Sequence, residues 1–146
     1  MAGWVVLVLG SGAREHALVR ALAADDTVDA VVAAPGNPGI DTIARCEPLA
    51  DVIDSAAVLD IATRLGVDLV VIGPEAPLVA GVADVLRENG FHVFGPSAAA
   101  AQLEGSKSFA KEVMAAANVP TARAHVCTTP AEVDDALKKL SSKPQK

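Results

Sequence analysis

The stretch Trp4 to Leu22, WVVLVLGSGAREHALVRAL, changes character twice within a short span and leaves few ways to fold. Val5 to Leu9 is an unbroken apolar run dominated by β-branched residues, which predicts a strand buried on both faces of a parallel sheet. Gly10, Ser11 and Gly12 interrupt it, and from Ala13 onward Ala17, Leu18, Ala21 and Leu22 recur at helical spacing on one face. A strand that enters a helix through Gly-x-Gly aims backbone N–H groups and the positive end of the helix dipole into one small space. An anion belongs there, and a phosphate is its natural form. Arg14 falls in the first helical turn, on the stripe of Leu18 and Ala21, where the dipole alone disfavours a cation. It calls for an anion nearby, either one of the chain's own carboxylates or a bound phosphate or sugar phosphate.

Composition limits how such a group can be held. The chain has 146 residues, 51% of them hydrophobic, enough for one well-buried domain. A net charge of −6 argues against a nucleic-acid or other polyanion surface, so a phosphate must be held locally. No apolar run approaches membrane-spanning length, and no basic segment precedes the first one, which predicts a cytoplasmic protein without a membrane partner. Cys46 and Cys127 have neither metal nor redox spacing and read as reduced, structural thiols. His16, His92 and His125 are equally scattered, so no metal site is expected. His16 projects away from the apolar stripe and reads as solvent-exposed or capping.

Further along, Ala30 to Ala34 predicts a second strand, closed by the stiff loop Pro35-Gly36-Asn37-Pro38-Gly39. Ile40 to Asp54 carries no recognisable pattern. Ser55 to Leu65 predicts a helix with Val58, Leu59, Ala62 and Leu65 inward and Gly66 as its stop. Val67 to Ile72 predicts a third strand leading into Gly73-Pro74-Glu75-Ala76-Pro77, followed by one helix over Leu78 to Asn89. Phe91 to Phe94 predicts a short strand ending at Gly95-Pro96-Ser97. Alternating strands and helices with right-handed crossovers give a doubly covered parallel sheet whose strand ends, and therefore these loops, gather on one rim. Glu75 is the carboxylate of those loops, held between prolines. It can accept hydrogen bonds from vicinal hydroxyls or an amine, or pair with Arg14 across the rim.

The remainder reads as helix over Ala98 to Glu104, a second helix capped by Ser106 with Phe109, Ala110, Val113, Met114 and Ala117 on one face, an edge strand over Ala122 to Cys127, and a helix opened by the capping box Thr129-Pro130-Ala131-Glu132. Lys107 is another cation in a first helical turn, which on its own reads as solvated beside Glu104. A dinucleotide site is disfavoured: the end of the second strand is Ala34-Pro35-Gly36, where a ribose-binding acid would be needed, Asp29 precedes that strand, and Glu15 replaces the third glycine of the fingerprint.

Four blocks in order, GSGAREHAL, APGNPG, GPEAPLVAG and FGPSAAAAQLEGSKSFAKEVM, resemble the N-terminal part of the glycinamide ribonucleotide synthetases, also called phosphoribosylamine–glycine ligases, over about Trp4 to Thr121. These are ATP-grasp ligases of purine biosynthesis that join glycine to 5-phosphoribosylamine. The resemblance implies an α/β fold: a Rossmann-like parallel sheet with helices on both faces, the pre-ATP-grasp domain, over residues 1–100. It further implies a helical linker and start of the ATP-grasp region over 101–140 and truncation before the ATP-grasp core, whereas the closing SSKPQK, 141–146, does not look like the family's continuation and reads from its polar, aperiodic residues as a mobile tail. Gly10, Ser11, Gly12 and Arg14 would help hold the 5-phosphate of phosphoribosylamine or of ribose 5-phosphate compounds. Asn37 and Gly39 would line the same pocket, Glu75 would contact ribose hydroxyls or the amine, and Lys107 would be the first ATP-phosphate lysine. Ala13 stands where the family usually has glycine.

ATP and Mg2+ serve the full-length family, and neither is expected to bind this chain tightly; the chain alone is expected to be inactive, with no catalytic residue assigned. Two other readings follow from the residues: an NAD-type nucleotide-binding module, and a non-catalytic domain that self-associates through the apolar side of Phe109, Val113 and Met114.

Overall fold

The structure, a computed structural model, describes residues 3–141. The chain divides into two compact units, Met1–Gly105 and Ser106–Lys146. The first is a five-stranded sheet of order β3-β2-β1-β4-β5 in which every pairing is parallel. Its strands are β1 (Trp4–Gly10), β2 (Val28–Pro35), β3 (Arg45–Cys46), β4 (Leu69–Ile72) and β5 (His92–Phe94). The helices between them are α1 (Ala13–Leu22), α2 (Ser55–Leu65), α3 (Glu75–Val79) and α4 (Val82–Glu88), with α5 (Ala98–Gly105) closing the unit.

Strand residues alternate between two cores, as the period of two requires. Leu7, Leu9, Val32 and Val70 face α2 and α4, where Val58, Ile61, Val82 and Leu86 complete one cluster. Val6, Val8, Val31, Ala33 and Val71 face the other way, onto Val19 and Ile40. Each half of the central strand is thus buried, which explains why its sequence is a continuous apolar run and not an alternating one.

Helix α2 has the predicted bounds because both ends are written locally. Asp54 accepts N–H bonds from Ala56 and Ala57 at 3.0 Å, and Gly66 stops the helix in the left-handed region at φ 61°. Three expectations are corrected. The inward face of α1 is Glu15 and Val19, with Leu18 and Leu22 half-buried, while Ala17 and Ala21 are exposed. The single helix over Leu78 to Asn89 is two, α3 and α4, parted at Gly81, whose φ of 87° breaks the helical path. The patternless segment contains a one-turn 3-10 helix at Ile40–Thr42, with Ile40 fully buried, and the edge strand β3.

In the second unit, α6 (Lys107–Ala116) is capped by Ser106, whose Oγ accepts from the Phe109 N–H at 3.3 Å. Asn118 takes the left-handed conformation after it, φ 55°. Helix α7 (Pro130–Ser141) opens on the predicted box: Thr129 Oγ1 accepts from the Glu132 N–H at 3.3 Å, and the Glu132 carboxylate accepts from Thr128 and Thr129. Residues 122–127 form no strand, contrary to expectation; no partner ladder is present for them among the described residues. Of the tail expected over 141–146, Ser141 closes α7, and 142–146 lie outside the described residues.

Candidate functional site

Because all strands run the same way, the loops after β1, β2 and β4 meet on one rim, and hydrogen bonds lock them together. The Gly36 N–H donates to Gly10 O at 3.1 Å, and the Gly73 N–H to Leu9 O at 3.2 Å, each prolonging the ladder by one step into the loops. Asn37 Nδ2 donates to Ser11 O at 2.8 Å while its Oδ1 accepts from the Gly39 and Ile40 N–H groups at 2.8 and 2.9 Å. Asn37 therefore spends its amide on bracing the first two loops. Gly39 is needed beside it: a Cβ there would stand 2.7 Å from His16 Cε1. His16, read from the sequence as solvent-exposed or capping, is half-buried against this loop, which corrects the first of those alternatives.

Arg14 spans the other gap. Its Nη1 donates to Gly73 O at 2.7 Å and its Nη2 lies 3.3 Å from Glu75 Oε1. Both readings of Arg14 from the sequence required an anion, and Glu75 is one. Yet the side chain of Arg14 is 61% exposed and that of Glu75 44%. Exposed pairs of this kind are readily exchanged for a competing anion. Glu75 opens α3, and its own backbone N–H, followed by the Arg14 guanidinium, holds its carboxyl below the ordinary glutamate value.

Glu15 was read from the sequence only as the residue that replaces the third fingerprint glycine, and its place beneath the turn was missed. It is buried, and Oε2 accepts a 2.6 Å bond from the Gly12 N–H. Its surroundings are glycines: a Cβ on Gly10 would stand 2.7 Å from Glu15 Cγ, one on Gly12 2.8 Å from Oε2, and one on Gly73 2.6 Å from Cδ. Gly10 is further set by a φ of 129°, which side-chain-bearing residues rarely adopt. The signal was present in the chain as a glutamate three residues after the helix cap.

Lys107 is exposed in the first turn of α6, within the second unit. Among the described residues no group of three or more His, Cys, Asp or Glu side chains that could hold a metal ion is found. The carboxyl end of β2 carries Pro35 and no acid, and Asp29 sits at the opposite end, accepting from the Gly3 N–H at 2.7 Å. Away from the rim, an apolar groove of about 530 Å³ lined in part by Leu18, Leu22, Val71 and Phe94 carries none of the predicted site residues. No helix among the described residues is long and apolar enough to cross a membrane.

Residues 4–104 match the family model described as phosphoribosylglycinamide synthetase, N domain. The phosphoribosylamine–glycine ligase of Streptomyces coelicolor is 64% identical over 132 residues, 90% of this chain and 32% of that protein. The crystal structure of phosphoribosylamine–glycine ligase from Thermotoga maritima superposes with a TM-score of 0.67 at 31% identity, covering 92% of this chain and 30% of that one. The biotin carboxylase domain of the Hydrogenobacter thermophilus 2-oxoglutarate carboxylase shares the fold, with a TM-score of 0.72 at 20% identity over 95% of this chain. The chain thus spans about a third of the length of the ligases it matches.

Proposed function

The chain belongs to the phosphoribosylglycinamide synthetase N-domain family, and from that premise we propose that it supplies the phosphoribosyl pocket of an ATP-dependent ligase joining glycine to 5-phosphoribosylamine in purine biosynthesis. The observation that carries this reading is the exposed guanidinium of Arg14, fixed on the rim by the Gly73 carbonyl, its Nη2 paired with the exposed Glu75 and its Nε 4.0 Å from Glu15. A sugar phosphate draws Nη2 from Glu75 at little cost, since a surface ion pair in water is weak, while the bond to Gly73 keeps the guanidinium aimed. A charge-assisted contact to phosphate replaces it. Glu75, released, accepts from the ribose hydroxyls or from the amine.

Gly10, Ser11 and Gly12 form the floor of this pocket, and Asn37 and Gly39 its second wall. Lys107 offers an ammonium to the phosphates of ATP, which supplies the phosphoryl group that activates glycine. Orientation of two substrates and neutralisation of the transferred phosphoryl group are the main demands of such a reaction, and the groups described here meet only the first, for one substrate. The chain by itself therefore binds and does not catalyse. Separate titrations of ribose 5-phosphate, ATP and NAD test the reading: only the sugar phosphate should bind at about millimolar or tighter, near 4 kcal/mol of binding free energy. Tighter binding of NAD would replace it with a dinucleotide module.

A further inference from the structure

The turn that opens α1 is already occupied by an anion from the protein itself. Glu15 turns back beneath the turn with its side chain 6% exposed, and its Oε2 takes the Gly12 N–H at 2.6 Å. Gly10, Gly12 and Gly73, from two different loops, each lack the side chain that would collide with it. Among the described residues the cationic atom that approaches the carboxylate is Arg14 Nε, 4.0 Å from Oε1. A negative charge therefore sits where a Gly-x-Gly turn ahead of a helix otherwise receives a phosphate. Water reaches it poorly, so a second anion placed against the Gly12 amide would meet a weakly screened like charge as well as occupied space.

We propose that Glu15 is a specificity-determining residue: its carboxylate fills the inner anion seat of the turn, so that a bridging pyrophosphate is rejected there and a monophosphate is accepted only on the outer side, at Arg14. This rests on the reading that the rim takes a sugar phosphate. It explains how a strand–Gly-x-Gly–helix start can serve a phosphosugar without also serving a dinucleotide: the anion is selected by where the turn leaves room for it. The three glycines then serve the carboxylate, and the contact to the guest falls to Arg14.

The test uses the protein labelled with 15N, titrated with ribose 5-phosphate and with inorganic pyrophosphate, in the wild type, Glu15→Ala and Glu15→Gln. In the wild type, ribose 5-phosphate should move the Arg14 Nε–H resonance and leave the Gly12 amide in place, and pyrophosphate should bind at least ten times more weakly. Glu15→Ala should gain at least tenfold in pyrophosphate affinity, with the Gly12 amide now responding, and Glu15→Gln should show a smaller gain from loss of charge alone. A Gly12 amide that moves with either anion in the wild type overturns the proposal, as does a pyrophosphate affinity unchanged in both folded variants. A purely structural role would alter melting without altering the ranking of the two anions. If ribose 5-phosphate leaves the wild type untouched while Glu15→Ala gains pyrophosphate, the pocket assignment fails and the role of Glu15 stands. Should Glu15→Ala not fold, Glu15→Gln and the wild-type amide map still decide.

Discussion

Gly73 and Glu15, far apart in sequence, are fitted to each other at the rim: a methyl group on Gly73 would stand 2.6 Å from Glu15 Cδ. The loop after β4 thus approaches the start of α1 as closely as it does because one partner has no side chain and the other folds under it. Gly73→Ala is expected to lower stability by about 1–3 kcal/mol, the usual cost of overpacking a rigid site. In a Glu15→Ala background the same change should cost far less, since its collision partner is gone. Denaturant melts of the two single variants and the double variant measure that coupling; independent, additive effects would contradict the fit.

A second prediction concerns the central strand. Leu7 is fully buried among the residues facing α2 and α4. Leu7→Ala should cost about 2–5 kcal/mol, as for large-to-small changes in close-packed cores, with little change in the affinity of the folded fraction for a sugar phosphate. A melt indistinguishable from wild type would mean that this side chain is not part of the core.

Acid should loosen the edge of the sheet through Glu47. This buried carboxylate, just after β3, pairs with Arg45 and with Arg64, whose Nη2 lies 2.9 Å from Oε2. The hydrogen bond from Arg64, aided by the charges of both arginines, outweighs burial and holds its carboxyl below the ordinary value. A group whose folded value is depressed stabilises above its unfolded value, near 4.3, and that contribution disappears as pH falls through the folded value. Melting temperature should therefore be insensitive to Glu47 titration between about pH 6 and 8 and fall more steeply below about pH 4 in the wild type than in Glu47→Gln. Parallel acid limbs for the two proteins would exclude the pair as a contributor.

The thiol of Cys46 provides a further check. Its burial pushes the thiol up from its ordinary value, and its Sγ stands where a Cβ on Gly36 would fall. A thiol that stays protonated is a poor nucleophile, so Cys46 should alkylate with iodoacetamide at neutral pH more slowly than a free cysteine in a peptide. Labelling at the peptide rate would place it at the open surface.

Much of the first unit was legible because its signals are local. The apolar run of β1 and the Gly66 stop of α2 each fix an element within a few residues, as the Ser106 cap of α6 does in the second unit, whereas the Asp54 cap of α2 fell in a stretch read as patternless. What escaped depends on partners distant in the chain. Strand β3 is two residues long and exists only because β2 offers it a ladder. The break between α3 and α4 leaves the apolar pattern intact on both sides and shows only in the φ of Gly81. The rim was legible as a meeting of loops, since parallel topology dictates it. Glu15 was not, because a charged residue on a helix is ordinarily assigned to solvent, and its burial requires glycines contributed by two separate strand ends. The inward face of α1 was misplaced for the same reason.

The most direct test of the pocket is the affinity of ribose 5-phosphate for the wild type and for Arg14→Ala, measured by calorimetry at constant salt. Loss of a charge-assisted contact of about 1.5–3 kcal/mol should weaken binding by roughly 10- to 100-fold, with the melting temperature nearly unchanged because the side chain is exposed. Equal affinity in the two proteins would show that the guanidinium does not hold the phosphate and would contradict the assignment of this rim as the phosphoribosyl pocket.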